Sequence, residues 1–356
     1  MAYTSIDNPE LYFQTKLYAG NSTARSITFD GSENMQPDWV WIKERDDAIN
    51  HYGYDSVRGV DKRLQQNITN AEDTTDTSWF RSFDTNGFTI GTEDNINDTG
   101  DNYVAWCWKA GTSFSNDASA TGVGSIDSSG SVNETAGFSI CTYTGVSSAG
   151  TIKHGLSTVP SMIIWKNRSA SNGWIVYHHK NTSAPETDYL ELHSSNGTND
   201  LNTIMNDTAP TSSVFSIGTE GAVGGSNTNN FVAYVFAEKQ GYSKFGNYTG
   251  NGNNDGTFVY TGFKPAWVVV KASSRTGSWC IQDNKRPGYN PENYPLFAES
   301  SGPEDTSDDR LDLLSNGFKI RDGDATSYNE SGSTYIYMAF AESPFVNSKG
   351  VPNNAR

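Results

Sequence analysis

Five histidines, three cysteines and 41 acidic residues are what this chain offers for chemistry. His178 and His179 are the only adjacent histidines. Neighbours in a strand face opposite ways, so the pair is read as one ring in and one out rather than as ligands of one metal. Asp46-Asp47, Asp283 and Asp308-Asp309 are carboxylates of the kind a glycosidase uses, but no spacing singles any of them out. Asp94, Asn95, Asn97, Asp98 and Asp101 place hard oxygen atoms close together, and Asp322 and Asp324 do so further on. Calcium takes such ligands, whereas polar turns use the same residues for backbone reasons. The corresponding stretch EGAVGGSNTN has one carboxylate and no EF-hand order, so turn formation is the plainer reading and a calcium ion the alternative. Cys107, Cys141 and Cys280 are odd in number, lack paired spacing and read as buried free thiols. The run GVGSIDSSG lacks the strand, helix and lysine of a phosphate loop, and it is no nucleophile elbow. No HExxH or CxxC spacing is present. No residue is therefore assigned a catalytic, cofactor-binding or metal-binding role.

The elements that would position these groups come in three copies. PDWVWIK (37–43), PSMIIWK (160–166) and PAWVVVK (265–271) each run from a proline through large apolar residues to a lysine. Trp39 and Trp41 point to one face and Val40 and Ile42 to the other, and a strand apolar on both faces is central and buried. Lys43, Lys166 and Lys271 close these strands. Each is expected to lay its stem over apolar neighbours and keep its ammonium in water. Asp55, His178 and Asp283 fall at matching places in the next element, followed by Arg58, Asn181 and Arg286. Asp55 and Asp283 are candidate partners for the lysines of the first and third copies. A hairpin follows, with Asn86-Gly87 and Asn316-Gly317 in the outer copies and Ser213-Val214 in the middle one, which must turn differently because valine disfavours positive φ. Each copy closes with a long apolar strand: NYVAWCWKAG, NFVAYVFAEK and TYIYMAFAES. From the lysine to the hairpin phenylalanine is 45, 49 and 47 residues, and from there to the last strand 15, 16 and 17. Self-similarity of this kind marks one unit written three times.

The expected fold is all-β, with tandem antiparallel β-sandwich or jelly-roll-like repeats. The expected division is an N-terminal arm (1–15), repeat one (16–111), a Ser/Gly/Asn-rich linker (112–137), repeat two (138–246), repeat three (247–345) and a C-terminal tail (346–356). Most tryptophans occupy repeated strand positions and are read as core. RPGYNPENYPLF (286–297) lies outside the strands, and its tyrosines are the better candidates for an exposed contact surface, since aromatic faces stack on sugar rings. A formal net charge of -16 argues against neutralising nucleic-acid phosphates or an anionic membrane surface. The start lacks the basic and apolar regions of a secretory signal, and no stretch approaches the length of an apolar span.

DNPELYFQTKLYAGN, the PDWVWIKERD…YDSVRG block, SFDTNGFTIG…NYVAWCWKAG and DGTFVYTGFKPAWVVVK…YIYMAFAESPF resemble a family of marine tailed phages, including phages of cyanobacteria. That family is usually labelled only as a domain of unknown function in virion or tail-fibre-like proteins. The resemblance implies a non-enzymatic virion structural protein at the particle surface, as a tail fibre, appendage or head decoration, made in the host cytoplasm. Expected partners are other tail or capsid proteins, further copies of the chain and host-surface glycan, with no nucleic acid, no membrane insertion and no cofactor. The alternatives are a capsid cement protein without host binding and a glycan-depolymerising appendage enzyme.

Overall fold

The computed structural model describes residues 3–226, 228–291, 293–306, 310–323 and 327–353. Asp308, Asp309 and Asp324 lie outside the described residues. The chain is all-β, built from antiparallel sheets in three sandwich-like pairs.

The first unit contains β1 (Phe13–Ala19), β2 (Arg25–Thr28), β3 (Trp39–Glu44), β4 (Tyr52–Asp55), β5 (Gly59–Leu64), β6 (Asp73–Thr74), β7 (Phe80–Asp84), β8 (Gly87–Ile90) and β9 (Asn102–Trp108). Its large sheet has the order β1-β9-β3-β4-β5-β6 and faces the small sheet β2-β8-β7. The second unit contains β10 (Thr112–Asn116), β11 (Ser128–Asn133), β12 (Phe138–Thr144), β13 (Gly150–Lys153), β14 (Met162–Asn167), β15 (Ile175–His178), β16 (Asp188–Glu191), β17 (Asn199–Asp200), β18 (Val214–Ile217) and β19 (Asn230–Phe236). Its sheets are β10-β11-β12-β19-β14-β15-β16-β17 and β13-β18. The third unit contains β20 (Ser243–Thr249), β21 (Phe258–Tyr260), β22 (Phe263–Ala272), β23 (Trp279–Asp283), β24 (Leu296–Phe297), β25 (Leu311–Leu314), β26 (Gly317–Ile320) and β27 (Thr334–Pro344), in sheets β20-β27-β22-β23-β24 and β21-β26-β25. In every unit the lysine strand (β3, β14 or β22) lies between the last long strand and the strand after the lysine.

The stretch 112–137, expected as a linker, carries β10, β11 and the short helix α1 (Ala118–Thr121). β11 pairs with β12 from Ser128↔Tyr143 to Asn133↔Phe138. Its serines and glycine satisfy the ladder through the backbone, so composition concealed the strands. The arm also ends earlier than expected, because Phe13 opens β1 opposite Trp108. Ahead of it, the Tyr3 hydroxyl donates to the Gly262 carbonyl at 2.8 Å, and Ile6 is buried. β20 begins at Ser243, before the start at 247 suggested by the repeat pattern. In the tail, Val346 bridges to Pro352 and Ser348 donates to Asp7.

Alternation along the lysine strands explains why both faces are apolar. Val40 and Ile42 pack inside the first sandwich with Tyr54, Phe88 and Ile90. Ile163 and Trp165 do so in the second, and Val268 and Val270 in the third. The other faces, Trp39 and Trp41, Met162 and Ile164, and Trp267 and Val269, meet in one shared core. The Trp108 ring lies 4.6 Å from Trp39, 5.6 Å from Trp267 and 5.8 Å from Phe340. Trp39 stacks 4.3 Å from Tyr234. Three large sheets thus pack back to back around a common aromatic centre.

The hairpins differ as the sequence suggests. Asp84↔Gly87 and Leu314↔Gly317 close two-residue loops made of Thr85-Asn86 and Ser315-Asn316, so each glycine begins a strand rather than forming the turn. A Cβ at Gly87 would sit 2.0 Å from the Ile27 carbonyl oxygen, and at Gly317 2.0 Å from that of Val259. In the middle unit Val214 stands there, no first hairpin strand forms, and Thr211 and Val214 close a turn by mutual hydrogen bonds.

Candidate functional site

Several of the polar residues that the sequence singles out are consumed in joining the units. Asp55 and Arg58 form an ion pair at 2.5 Å whose side chains are fully buried. Arg58 reaches Glu72 at 3.0 Å, and Glu72 takes a two-pronged contact from Arg168 of the second unit at 2.8 and 2.9 Å. Asp283, Arg286 and Glu304 repeat this arrangement, and Glu304 is held by Arg45 of the first unit at 2.7 and 3.0 Å. At the remaining junction Asn181 accepts from Thr198, and the Thr198 amide donates to the Ser273 carbonyl. Burial alone would lower the Arg58 guanidinium, but Asp55, Tyr234 and Glu72 outweigh it and push it above its ordinary value.

Each junction also carries a ring N–H bonded to a carbonyl of the preceding unit. Trp174 donates to Gln65 at 2.8 Å, Trp279 to Glu191 at 2.8 Å, and His51 Nε2 pairs with Ser300 at 3.1 Å. The Asp positions receive donors from the neighbouring closing strand: Tyr234 to Asp55 at 2.7 Å, and Trp106 to Asp283 at 3.0 Å. Met338 occupies the equivalent place in the third unit and has no N–H or O–H to give. There the aspartate is replaced by His178, which instead pairs with the Tyr337 carbonyl at 3.1 Å. First joins second, second joins third, and third joins first, so the ring closes within one chain, in the manner of a cyclic trimer.

Three expectations change on these facts. The lysine ammoniums are not in water: Lys43, Lys166 and Lys271 are buried, and each donates to loop carbonyls. Burial pulls Lys166 down to about 7, and Lys43 and Lys271 to about 8. Asp55 and Asp283 do not pair with the lysines, because Asp55 lies opposite Trp39, four residues from Lys43, and Asp283 opposite Trp267. His178 and His179 do not divide between inside and outside. His179 stands just past the end of β15, where alternation lapses, and it pairs with Phe245 of the third unit at 2.9 Å. The three cysteines are buried free thiols raised by burial.

Of the acidic loop, Asn97 is buried and fully engaged with Thr23, Gly91 and Asn21. Asn95 donates to Glu93. Asp101 instead meets Glu44 and Asp47, two residues from β3 and the loop after it. Asp322 pairs with Arg310.

The open site lies on the third unit. Tyr289, 64% exposed, stands over a cleft of about 380 Å³ walled by Lys264, Asn284, Lys285, Asn290, Leu313 and Glu342. A second hollow of about 420 Å³ shares Lys264, Asn290, Leu313 and Glu342 and continues it. Register shifts at Lys264, Pro265 and Trp267 bulge β22 here, and bulges re-aim side chains at functional edges. Glu342 accepts from Lys264 at 2.9 Å and from Asn284 at 2.8 Å. Asn290 holds Leu313 through two 2.9 Å bonds. The buried Asn284 Oδ1 has no partner among the described residues. A groove of about 310 Å³ on the second unit, lined by Asp117, Asp127 and Arg168, offers polar groups without an exposed aromatic ring.

Fold and site together define an all-β protein of three fused sandwich units carrying an aromatic-topped polar cleft. The chain belongs to DUF7483, a domain of unknown function, whose model matches residues 8–344. Nothing among the curated proteins matches it.

Proposed function

We propose that this protein is a non-enzymatic structural module of a phage virion surface that contacts host glycan through the Tyr289 cleft. The observation that carries the reading is the cleft: a ring free to stack on a pyranose, above carboxylate, ammonium and amide groups that bond hydroxyls. The closed ring of units supports it, since Asp55, Asp283, His51, His178, Arg58 and Arg286 are buried in its junctions. A net charge of -16 suits an object displayed at high local density. The resemblance to tailed-phage virion proteins supplies the setting.

The test combines immunogold cryo-microscopy of particles with binding of the purified chain to host cells and extracted polysaccharide. Labelled particles, with cell binding that Tyr289→Ala reduces at least tenfold, are expected. Label on the capsid without cell binding would replace the reading by a cement protein. New reducing ends in the polysaccharide would replace it by a depolymerase, and unlabelled particles would remove it.

A further inference from the structure

We propose that Glu44, Asp47 and Asp101 form a binding site for a hard divalent cation, with Ca²⁺ the fitting ion. One carboxylate oxygen from each lies within 4.8 Å of the other two. Three separate constraints bring them there. Glu44 ends β3. The Lys43 ammonium donates to the carbonyls of Glu44 and Asp47, which folds the loop back over the strand end. The Arg45 amide donates to the Asn102 carbonyl, and the Asn102 amide to Asp46 at 2.5 Å, which sets the entry of β9, and Asp101 with it, beside that loop.

Glu44 supplies a second, independent observation. It is only 2% exposed, and its Oε1 has no hydrogen-bond partner among the described residues. A buried carboxylate oxygen without a partner costs stability unless something meets it. The Lys43 ammonium is spent on backbone carbonyls. Oxygen-only ligands on loops of unequal rigidity suit Ca²⁺, which accepts irregular shells completed by water, better than Mg²⁺.

The other two units show what the same frame looks like without the site. Counting from the lysine and the last strand, Glu44, Asp47 and Asp101 correspond to Asn167, Ala170 and Asn229, and to Ala272, Arg275 and Ser333. Asn167 uses its side chain within its own loop, accepting from Ser169 and Ala170 and donating to Asn172. All three positions are acidic in the first unit and none is acidic elsewhere, so the carboxylates arise together.

The test is titration calorimetry of the full chain, stripped with EDTA, against CaCl₂ and separately MgCl₂, with melting curves. One Ca²⁺ per chain, preferred over Mg²⁺ and raising the melting temperature, is expected. Glu44→Gln and Asp101→Asn should each weaken binding at least tenfold. In EDTA, Glu44→Gln should melt at or above the wild type, because a buried unpaired carboxylate has gone. No heat and no melting shift with Ca²⁺ would overturn the proposal, as would equal binding by both variants, which would mark diffuse attraction to an acidic surface. Glycan binding is read in a separate assay, so loss of one site leaves the other measurable.

Discussion

Glu72 and Glu304 each stand between two arginines that come from different units, and at the third junction Thr198 holds the same place with neutral partners. Removing one member of a buried ionic group strands the others without water. Glu72→Gln should therefore cost about 3–5 kcal/mol in urea unfolding. Thr198→Ala should cost only about 1 kcal/mol, the net worth of a neutral hydrogen bond. Equal losses would mean that the charges add nothing beyond hydrogen bonds. The histidines make a second residue-scale prediction. Trp41 donates to His51 Nδ1 at 2.8 Å and the Lys180 amide to His178 Nδ1 at 3.2 Å, so both rings are fixed neutral with Nε2–H facing a carbonyl of the third unit. Burial lowers each to about 3, helped for His51 by Lys43 and for His178 by His179 and Lys180. A depressed folded value means that the unfolded chain binds the proton first. The contribution is complete above the ordinary value of about 6.5 and is lost as pH falls toward about 3, by up to about 1.4 kcal/mol per pH unit for each ring. His178→Gln should flatten that acid limb in unfolding measured from pH 7 to pH 4.

At the scale of elements, the hairpin of the small sheet depends on a close approach that only glycine permits. Gly87 has φ 114° and its α-carbon faces the Ile27 carbonyl. Gly87→Val should destabilise the chain by more than the roughly 1–3 kcal/mol of backbone strain alone, because the added side chain also strikes β2. The reverse change, Val214→Gly, should be nearly neutral or slightly destabilising, since the middle unit has no first hairpin strand to pair. Thermal melts of the two variants check both outcomes. Here the sequence was legible in part. Asn-Gly marked the two hairpins, and Ser213-Val214 marked the exception. The serine-rich strands of 112–137 were illegible, because their ladder rests on backbone groups that any residue supplies.

For the whole molecule, the shared core makes the three units one cooperative body. Trp108 is 1% exposed and lies against rings from all three. Trp108→Ala should cost about 3–5 kcal/mol. The loss should lower a single unfolding transition seen alike by tryptophan fluorescence and by circular dichroism. Independent melting of a subset of units would show that the sandwiches do not depend on the centre. A chain ending after the second unit would strip Phe13, Trp108 and Phe236 of the Trp267, Phe245 and Phe340 rings they pack against, and it should aggregate or bind hydrophobic dye where the full chain does not.

By itself the sequence determined the three copies, the β class, the burial of the lysine strands on both faces and the exposed tyrosine of 286–297, because periodicity and side-chain type are local properties. What covers the second face was decided only by tertiary structure. Trp39, Met162 and Trp267 are more than a hundred residues apart, and no local pattern distinguishes an apolar face met by its own small sheet from one met by two other units. The same holds for Glu44, Asp47 and Asp101, which become neighbours only when β3 and β9 lie side by side. Position in the chain conveys residue type, and the pairing of distant strands conveys which of those types share a dielectric environment.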